Sequence, residues 1–318
     1  MRPASSVAIV CIAMLTACSS TSTAPGIHSV PTFVYVSDAT GSSQLFLFRS
    51  DSSIQITNDG GNDTDPRSAA GMLVFTSDRD GNREVYISDT LGTTQHRVTN
   101  SAASDFEPAL RPSGDLIAFT SDRSGLPRIW IVPAPTLSDT GFSTASALAT
   151  GTDASVPEQS PAWSSDGSQL AFTSTRTGTP QVFVVPAAGG AAAQVSHEAG
   201  GAFSPVWSAD GKSIIYQSGS GVPTIQRVDI SSGATTQLAS DSLGIGEPTC
   251  NANLCLGVTN PSDTSGAIVS FTIRPRKRRW CSAVPPTSDS PRFSLLRDAR
   301  GAYIARVSRA RRLFERRT

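Results

Sequence analysis

The sequence predicts an all-β protein, a six-bladed β-propeller in which each blade contains four antiparallel strands. A unit of about 43 residues recurs along the chain. Within each unit, runs rich in β-branched and aromatic residues alternate with Gly, Pro, Asp and Ser, as in short strands joined by tight turns. Some runs, such as Leu170-Ala171-Phe172, are apolar at every position, which favours sheets that are covered on both faces. Four strands in a unit of this length is typical of a propeller blade.

The repeat is clearest in residues 160–190. This unit begins with a Ser-Pro-led strand, turns at Asp166-Gly167, continues as a second strand through Phe172 and turns again at Thr177-Gly178 before a third strand. A short fourth strand is expected near Val195. Each unit opens on a proline that follows Asp, Glu or Ser, at spacings of 42, 53, 44, 43 and 43 residues: Pro66, Pro108, Pro161, Pro205, Pro248 and Pro291.

The first and last units decide how the ring closes. The first unit starts directly with its second strand, at Phe33, and lacks a Pro-led first strand. A spare Pro-led strand, SPRFS, occupies residues 290–294. Pairing of this late strand with the first unit would close a ring of six blades. A seven-bladed ring is the alternative, since residues 302–305 (AYIA) could form one more second strand.

The amino-terminal segment, residues 1–17, is expected to be a signal peptide. Arg2 gives a charged start, and the apolar run of residues 7–15 is too short to span a membrane. Residues 15–18 (LTAC) resemble the lipobox of bacterial lipoproteins, which implies cleavage before Cys18 and lipidation of that residue. The alternative is an ordinary secretory signal followed by a cysteine by chance.

Lipidation at Cys18 would anchor the chain to a membrane, because several acyl chains hold a protein there stably. Ser19, and not Asp, follows the cysteine, and by resemblance to the sorting rules of enteric lipoproteins this implies the outer membrane facing the periplasm. Residues 18–30 are then a flexible tether, residues 31–296 the propeller and residues 297–318 a basic carboxy-terminal tail.

Three cysteines remain after Cys18. An exported chain meets an oxidising compartment, which favours a local disulfide between Cys250 and Cys255 and leaves Cys281 unpaired. Three thiols without a nearby histidine do not complete the four ligands of a zinc site. No metal site is therefore expected from these cysteines.

The sequence predicts no catalytic site and no cofactor. The G-x-S-x-G elbow of hydrolases is absent, and the three histidines, His28, His96 and His197, have no spacing typical of a ligand set or a catalytic base. The acidic loop at residues 59–65 (DGGNDTD) offers oxygen ligands, but it lacks the frame of a calcium-binding loop. Neither feature predicts a site.

Other chemically suggestive residues recur with the repeat, and we interpret them as structural. Asp-Arg or Asp-Gly pairs appear once per unit, as at Asp122-Arg123 and Asp166-Gly167. A residue needed for a turn recurs in every unit, whereas a single binding site need not. The tryptophans at strand positions, Trp130, Trp163 and Trp207, are interpreted as packing residues.

Two recurring phrases resemble a known family. Pro-x-Trp-Ser-x-Asp-Gly at residues 161–167 and 205–211, and Phe-Thr-Ser-Asp-Arg-x-Gly at residues 75–81 and 119–125, look like the repeat of the TolB-like β-propeller family. The same repeat occurs in the propellers of prolyl-oligopeptidase-type enzymes. The resemblance implies the fold, but the repeat serves many roles and does not imply one function. TolB itself has a separate domain before its propeller, where only a tether is expected here.

The net charge of zero conceals a division along the chain. Residues 1–273 contain 12 Lys and Arg against 23 Asp and Glu, whereas residues 274–318 contain 14 against 3. The basic end could contact anionic lipid or the acidic propeller surface, and an amphipathic helix is a further alternative for its last part. Nucleic acid is not expected as a partner of an exported chain.

These features predict a lipid-anchored cell-envelope propeller that acts as a non-catalytic protein-binding scaffold. Its partner is expected to be an envelope protein that binds at a mouth of the central channel. The alternative is a carbohydrate- or peptide-acting enzyme or sensor that uses the channel. Polar residues from different blades that cluster there with perturbed pKa values would favour the enzyme. A mildly apolar mouth would favour a protein partner.

Overall fold

The computed structural model describes residues 9–11, 32–38, 40–49, 52–139, 141–151, 155–219, 221–240, 244–251, 254–259, 267–272, 292–297 and 303–308. Regular structure in these residues consists entirely of β-strands, which form six antiparallel sheets. Within this part of the chain, no helix with the length and apolarity of a membrane span is found. Cys18, the tether, Cys281 and the basic run at residues 274–279 lie outside the described residues.

The first three sheets have four strands each, in sequence order. Sheet 1 contains β1 (Ile9–Cys11), β2 (Phe33–Ser37), β3 (Gln44–Arg49) and β4 (Ser52–Gln55). Sheet 2 contains β5 (Asp63–Ala69), β6 (Met72–Ser77), β7 (Glu84–Asp89) and β8 (Gln95–Arg97). Sheet 3 contains β9 (Asp105–Leu110), β10 (Leu116–Ser121), β11 (Arg128–Pro133) and β12 (Ser146–Ala147).

The next two sheets repeat this plan and the last one departs from it. Sheet 4 contains β13 (Glu158–Trp163), β14 (Gln169–Thr177), β15 (Thr179–Pro186) and β16 (Ala193–Gln194). Sheet 5 contains β17 (Ala202–Trp207), β18 (Ser213–Ser218), β19 (Thr224–Asp229) and β20 (Thr235–Ser240). Sheet 6 has five strands: β21 (Ile245–Asn251), β22 (Leu254–Thr259), β23 (Ala267–Thr272), β24 (Arg292–Arg297) and β25 (Tyr303–Ser308).

Each pair of neighbouring sheets shares one hydrophobic cluster. Leu170 and Phe172 of β14 pack toward sheet 3, whereas Ala171, between them, packs toward sheet 5. The same division of successive side chains explains why the strands are apolar at every position, as the sequence predicted. The last cluster joins sheet 6 to sheet 1, since Val258 and Ile268 pack with Phe33. The sheets therefore form a closed all-β propeller, and their first strands contact each other around its axis.

The Asp-Arg pairs of the repeat serve the structure in two ways. The aspartate lies in the turn, where the carbonyl oxygen of Asp122 accepts the amide of Gly125 at 2.8 Å, and its Oδ1 accepts the amide of Ser104, just before β9, at 2.8 Å. The arginine folds back over the sheet, where Arg123 lies against the rings of Phe119 and Trp130 and pairs with the buried Asp105 at 2.5 Å. Arg79 and Arg176 repeat this arrangement with Asp63 and Glu158. The turn interpretation of the aspartate agrees with these contacts.

The prediction of six four-stranded blades was confirmed only in part. Five of the six sheets have four strands and sheet 6 has five, and the described residues form no seventh sheet, which was the alternative. The late strand β24 pairs with β25, where Phe293 lies opposite Val307. It does not pair with the first unit. A short connection joins β24 to β25, and local pairing costs less loop-closure entropy than pairing with a strand more than 250 residues earlier.

The first position of sheet 1 is taken by a segment that the sequence assigned to the signal peptide. Ile9–Cys11 pairs with β2, with Val10 opposite Val34. The segment containing residues 302–305 begins no seventh blade, since β25 pairs with β23 in sheet 6. The helical alternative for the end of the chain was also wrong over Tyr303–Ser308, which is extended.

Candidate functional site: the central channel and its mouth

The first strands of sheets 2 to 6 share a backbone feature at the channel. In each, the residue before the proline has a φ between 50° and 55°, and the register with the second strand shifts there. An extra residue on one strand of a pair forms such a bulge and redirects a side chain. The five left-handed residues are Asp65, Glu107, Ser160, Ser204 and Glu247. Non-glycine residues rarely adopt this conformation, and strain of this kind concentrates at functional sites.

Hydrogen bonds between sheets connect three of these positions. Thr76 donates to Asp65 Oδ2 at 2.9 Å and accepts the amide of Glu107 at 3.1 Å. Glu107 Oε2 in turn accepts from Thr120 at 2.9 Å and from the amide of Ser160 at 2.8 Å, and Ser160 Oγ donates to Oε1 at 3.1 Å. The carboxylate of Glu107 therefore lies between sheets 3 and 4 and is well supplied with donors.

Glu247 lacks comparable donors. Its amide donates to Gln217 at 3.2 Å, but its Oε2 is buried and accepts no hydrogen bond from the described residues. Burial, with the negative charges of Asp65 and Glu107, raises the pKa of Glu247 to about 7, against the opposing effect of Arg67. Glu247 is therefore a carboxyl group that changes charge near neutral pH.

Arg67 is the positive group among these carboxylates. It interacts electrostatically with Asp65, Glu107 and Glu247, yet no carboxylate of the described residues lies within 4 Å of its guanidinium. Burial lowers the pKa of Arg67, and the three carboxylates oppose that shift. Burial and the charge of Asp65 also raise the pKa of Glu107. We call Asp65, Glu107 and Glu247, with Arg67, the channel cluster.

A cavity of about 240 Å³ opens beside the channel cluster. The first strands of sheets 2 to 6 all contribute to its wall, so it forms one mouth of the channel. Most of the lining is small and apolar, and Arg67 is the charged residue in it. The lining residues are Arg67, Ser68, Ala69, Ala109, Leu110, Pro112, Pro161, Ala162, Trp163, Ser165, Val206, Trp207, Ser208, Ala209, Thr249 and Cys250.

Two tryptophans of this wall also hold neighbouring sheets together. The indole N–H of Trp163 donates to the carbonyl oxygen of Ala109 at 3.0 Å, and that of Trp207 donates to Ala162 at the same distance. Both side chains are buried. The interpretation of Trp163 and Trp207 as packing residues agrees with these contacts, and each also presents part of its surface to the cavity.

The disulfide predicted from the sequence concerns the same mouth. Cys250 of β21 lies opposite Cys255 of β22, and their sulfurs are bonded. Cys250 contributes to the cavity wall. Cys18, the predicted lipidation site, lies outside the described residues.

The other residues considered in the sequence lie away from the channel cluster. His96 belongs to β8, and His197 contacts Gln194 at 3.2 Å. In the acidic loop, Asp59 and Asp63 both pair with Arg79, at 2.5 and 3.1 Å. Among the described residues, no group of three His, Cys, Asp or Glu side chains is arranged to hold a metal ion.

Sequence reasoning missed the channel cluster, although a signal for it was present. Every unit-opening proline follows Asp, Glu or Ser, and those residues were interpreted as marks of the repeat. Their approach to one another depends on closure of the ring, which no single unit shows. Arg67 differs from its counterparts in four other units, Ala109, Ala162, Val206 and Thr249, which are uncharged, whereas Pro291 is also followed by an arginine, Arg292.

Known proteins resemble this chain in sequence and fold. Residues 143–256 match the family model described as "TolB beta propeller domain". A TolB homolog from Chlorobium chlorochromatii is 28% identical over 46% of this chain and 31% of its own length, and one from Chlorobium luteolum is 27% identical over 67% and 47%. The chain thus spans less than half the length of these relatives.

Solved structures support the same assignment at the level of fold. The crystal structure of TolB from Acinetobacter baumannii superposes with a TM-score of 0.64, covering 86% of this chain and 63% of that one at 17% identity. Identity this low shows the fold alone. Together with the family match, this superposition confirms the resemblance of the repeats: residues 143–256 match a TolB-type β-propeller domain, and the chain is distantly similar to the TolB homologues.

Proposed function

We propose that this chain is a lipid-anchored cell-envelope protein whose propeller binds a protein partner, without catalysis, at the mouth formed by the first strands of sheets 2 to 6. The observation that carries the proposal is the apolar cavity at that mouth, to which five sheets contribute. A concave, mostly apolar surface with a few polar groups is typical of a site that receives a side chain or an extended segment. The relation to TolB homologues and the predicted lipobox at Cys18 support an envelope location.

A photo-reactive amino acid at the mouth tests this proposal directly. Ser165 is exposed and lines the cavity, whereas Leu126 is exposed in the turn between β10 and β11, at the opposite face. We expect cross-links from position 165 to one envelope protein in intact cells and none from position 126. Cross-links of equal yield from both positions, or from neither, would contradict binding at this mouth.

Membrane anchoring requires a separate measurement. Replacement of Cys18 by Ala removes the thiol that is predicted to carry lipid. We expect the variant to be released from the membrane fraction and the unaltered chain to remain in it. A variant that stays in the membrane fraction after cleavage of its leader would exclude anchoring through Cys18.

One property of the channel cluster, its carboxyl groups with raised pKa values from different sheets, favours the enzyme alternative. Asp65, Glu107 and Glu247 come from different sheets, and the pKa values of Glu107 and Glu247 are raised, as in many acid–base sites. We nevertheless favour binding, because both oxygens of Glu107 already accept hydrogen bonds within the protein and the wall of the cavity is mostly apolar. Hydrolysis of a panel of oligosaccharides or peptides that is lost in Glu247→Gln would support the enzyme instead.

A further inference from the structure

The channel cluster contains a hydrogen-bond acceptor that the described residues leave without a donor. Glu247 Oε2 is buried and unpartnered, whereas Asp65 Oδ2 and both oxygens of Glu107 accept hydrogen bonds. A buried carboxylate oxygen without a donor loses its hydration and gains nothing in return. The orphaned oxygen of Glu247 is therefore free to accept a hydrogen bond from a group outside the described residues.

The charges of the cluster specify the sign of that group. Three carboxylates, Asp65, Glu107 and Glu247, face one guanidinium, that of Arg67, and no salt bridge joins them in the described residues. With all three acids ionised, the cluster carries an excess of two negative charges. The polar neighbours that complete its surroundings are uncharged: Thr64, Thr76, Thr120, Ser160 and Gln217. A cation that donates hydrogen bonds satisfies both the charge and the orphaned oxygen.

The carboxylates of the channel cluster lie next to the residues of the apolar mouth. Arg67 and Thr249 line the cavity, and they lie two residues from Asp65 and Glu247 on the same strands. A lysine or arginine side chain has a long apolar stem and a charged end with several donors. Its stem can follow the apolar wall of the cavity while its end reaches the carboxylates.

We propose that the channel cluster is a subsite for one basic side chain, carried by the segment that enters the mouth. This inference rests on the proposed function, since it names the chemistry of the partner that the mouth receives. Glu247 accepts a hydrogen bond from the ammonium or guanidinium group, and Asp65 and Glu107 supply the remaining negative field. Arg67, at the cavity wall, repels the entering charge and limits the affinity.

The test compares two blocked alanine-based peptides that differ at one central residue, lysine or the uncharged norleucine. Titration calorimetry at pH 8 should show tighter binding of the lysine peptide by about tenfold, the effect of one hydrogen bond to a charged group. The Glu247→Gln variant should lose this preference, and Arg67→Gln should increase it. Asp166→Asn is the matched control, because Asp166 is an exposed turn residue at the same face and not part of the channel cluster.

The preference should also depend on pH. Because the pKa of Glu247 is about 7, its carboxylate is mostly protonated at pH 6 and mostly ionised at pH 8. We expect the lysine preference of the unaltered protein to grow roughly five- to tenfold between these values, and that of Glu247→Gln to stay constant.

Two outcomes would overturn the subsite, and both leave the proposed function to be judged by cross-linking at position 165. The first is equal binding of the two peptides, which would mean that the mouth binds a segment regardless of the charge of its central side chain. The second is a lysine preference that persists in folded Glu247→Gln. Thermal unfolding of each variant, followed by circular dichroism, establishes that it is folded.

Discussion

The indole N–H of Trp207 donates a hydrogen bond to the carbonyl oxygen of Ala162, 3.0 Å away in the neighbouring sheet. Trp163 makes the same bond to Ala109 one sheet earlier. Each bond crosses the boundary between two sheets at the wall of the mouth, where both partners are buried. The repeat thus joins consecutive sheets by a polar contact in addition to their shared hydrophobic cluster.

Replacement of Trp207 by Phe should lower the free energy of unfolding by about 1–3 kcal/mol, because the buried carbonyl of Ala162 loses its donor. Trp130→Phe is the matched control, since the Nε1 of Trp130 is buried and makes no hydrogen bond within the described residues. The control variant should be affected less, because it removes an unpaired donor. Chemical denaturation measures both changes, and equal losses would show that ring volume and not the hydrogen bond decides them.

The ion pair between Arg123 and the buried Asp105 should contribute more to stability than an exposed ion pair. Replacement by Met removes the positive charge and leaves Asp105 buried and unpaired, which typically lowers stability by about 3–5 kcal/mol. Asp115→Ala is a suitable comparison, because its pair with Arg111 is exposed and such pairs contribute less than about 1 kcal/mol. A loss in Arg123→Met no larger than that in Asp115→Ala, measured by urea unfolding, would contradict this account.

The left-handed conformation of Ser204 should make that position sensitive to β-branching. Ser204→Val places a branched side chain at a φ of 50° and should lower stability by about 1–2 kcal/mol. Ser204→Gly removes the steric cost but raises the entropy of the unfolded chain, so its effect should stay within about 1 kcal/mol. Thermal unfolding distinguishes them, and the opposite order of stabilities would exclude backbone strain as the cause.

The sequence allowed the repeat, the strand order within a unit and the burial of both sheet faces to be predicted, because each depends on residues close together in one unit. Leu170, Ala171 and Phe172 of β14 illustrate this, since their packing on both faces of the sheet follows from their own apolar side chains. Closure of the ring depended instead on pairing between distant segments. The sequence does not show whether β24 is more stable when it pairs with β25 or when it pairs with β2. The channel cluster escaped for a similar reason: Asp65, Glu107 and Glu247 meet only through the completed ring.

Stability should fall as pH rises from about 4.5 to 7, and Glu247 should account for part of that fall. Burial and neighbouring acids raise the pKa of Glu247 from 4.5 to about 7 in the folded protein. Between these values the unfolded chain has lost its proton while the folded protein retains it, so increasing pH favours unfolding, and the loss is complete above pH 7. The contribution of Glu247 is at most roughly 3 kcal/mol.

The variant Glu247→Gln cannot ionise, so its unfolding temperature should change less between pH 4.5 and pH 8 than that of the unaltered protein. A smaller slope should remain, since burial also raises the pKa values of Glu107 and Asp105. Asp166→Asn provides the contrast, because hydrogen bonds from Ser164 and Ser168 lower the pKa of Asp166 to about 2. Its stabilising effect is lost only as pH falls below the unfolded value of 3.8, outside this window. Calorimetry at a series of pH values measures these unfolding temperatures. If Glu247 already carried its charge at pH 5, the curves of Glu247→Gln and the unaltered protein would run parallel. That result would exclude the pH dependence assigned to Glu247.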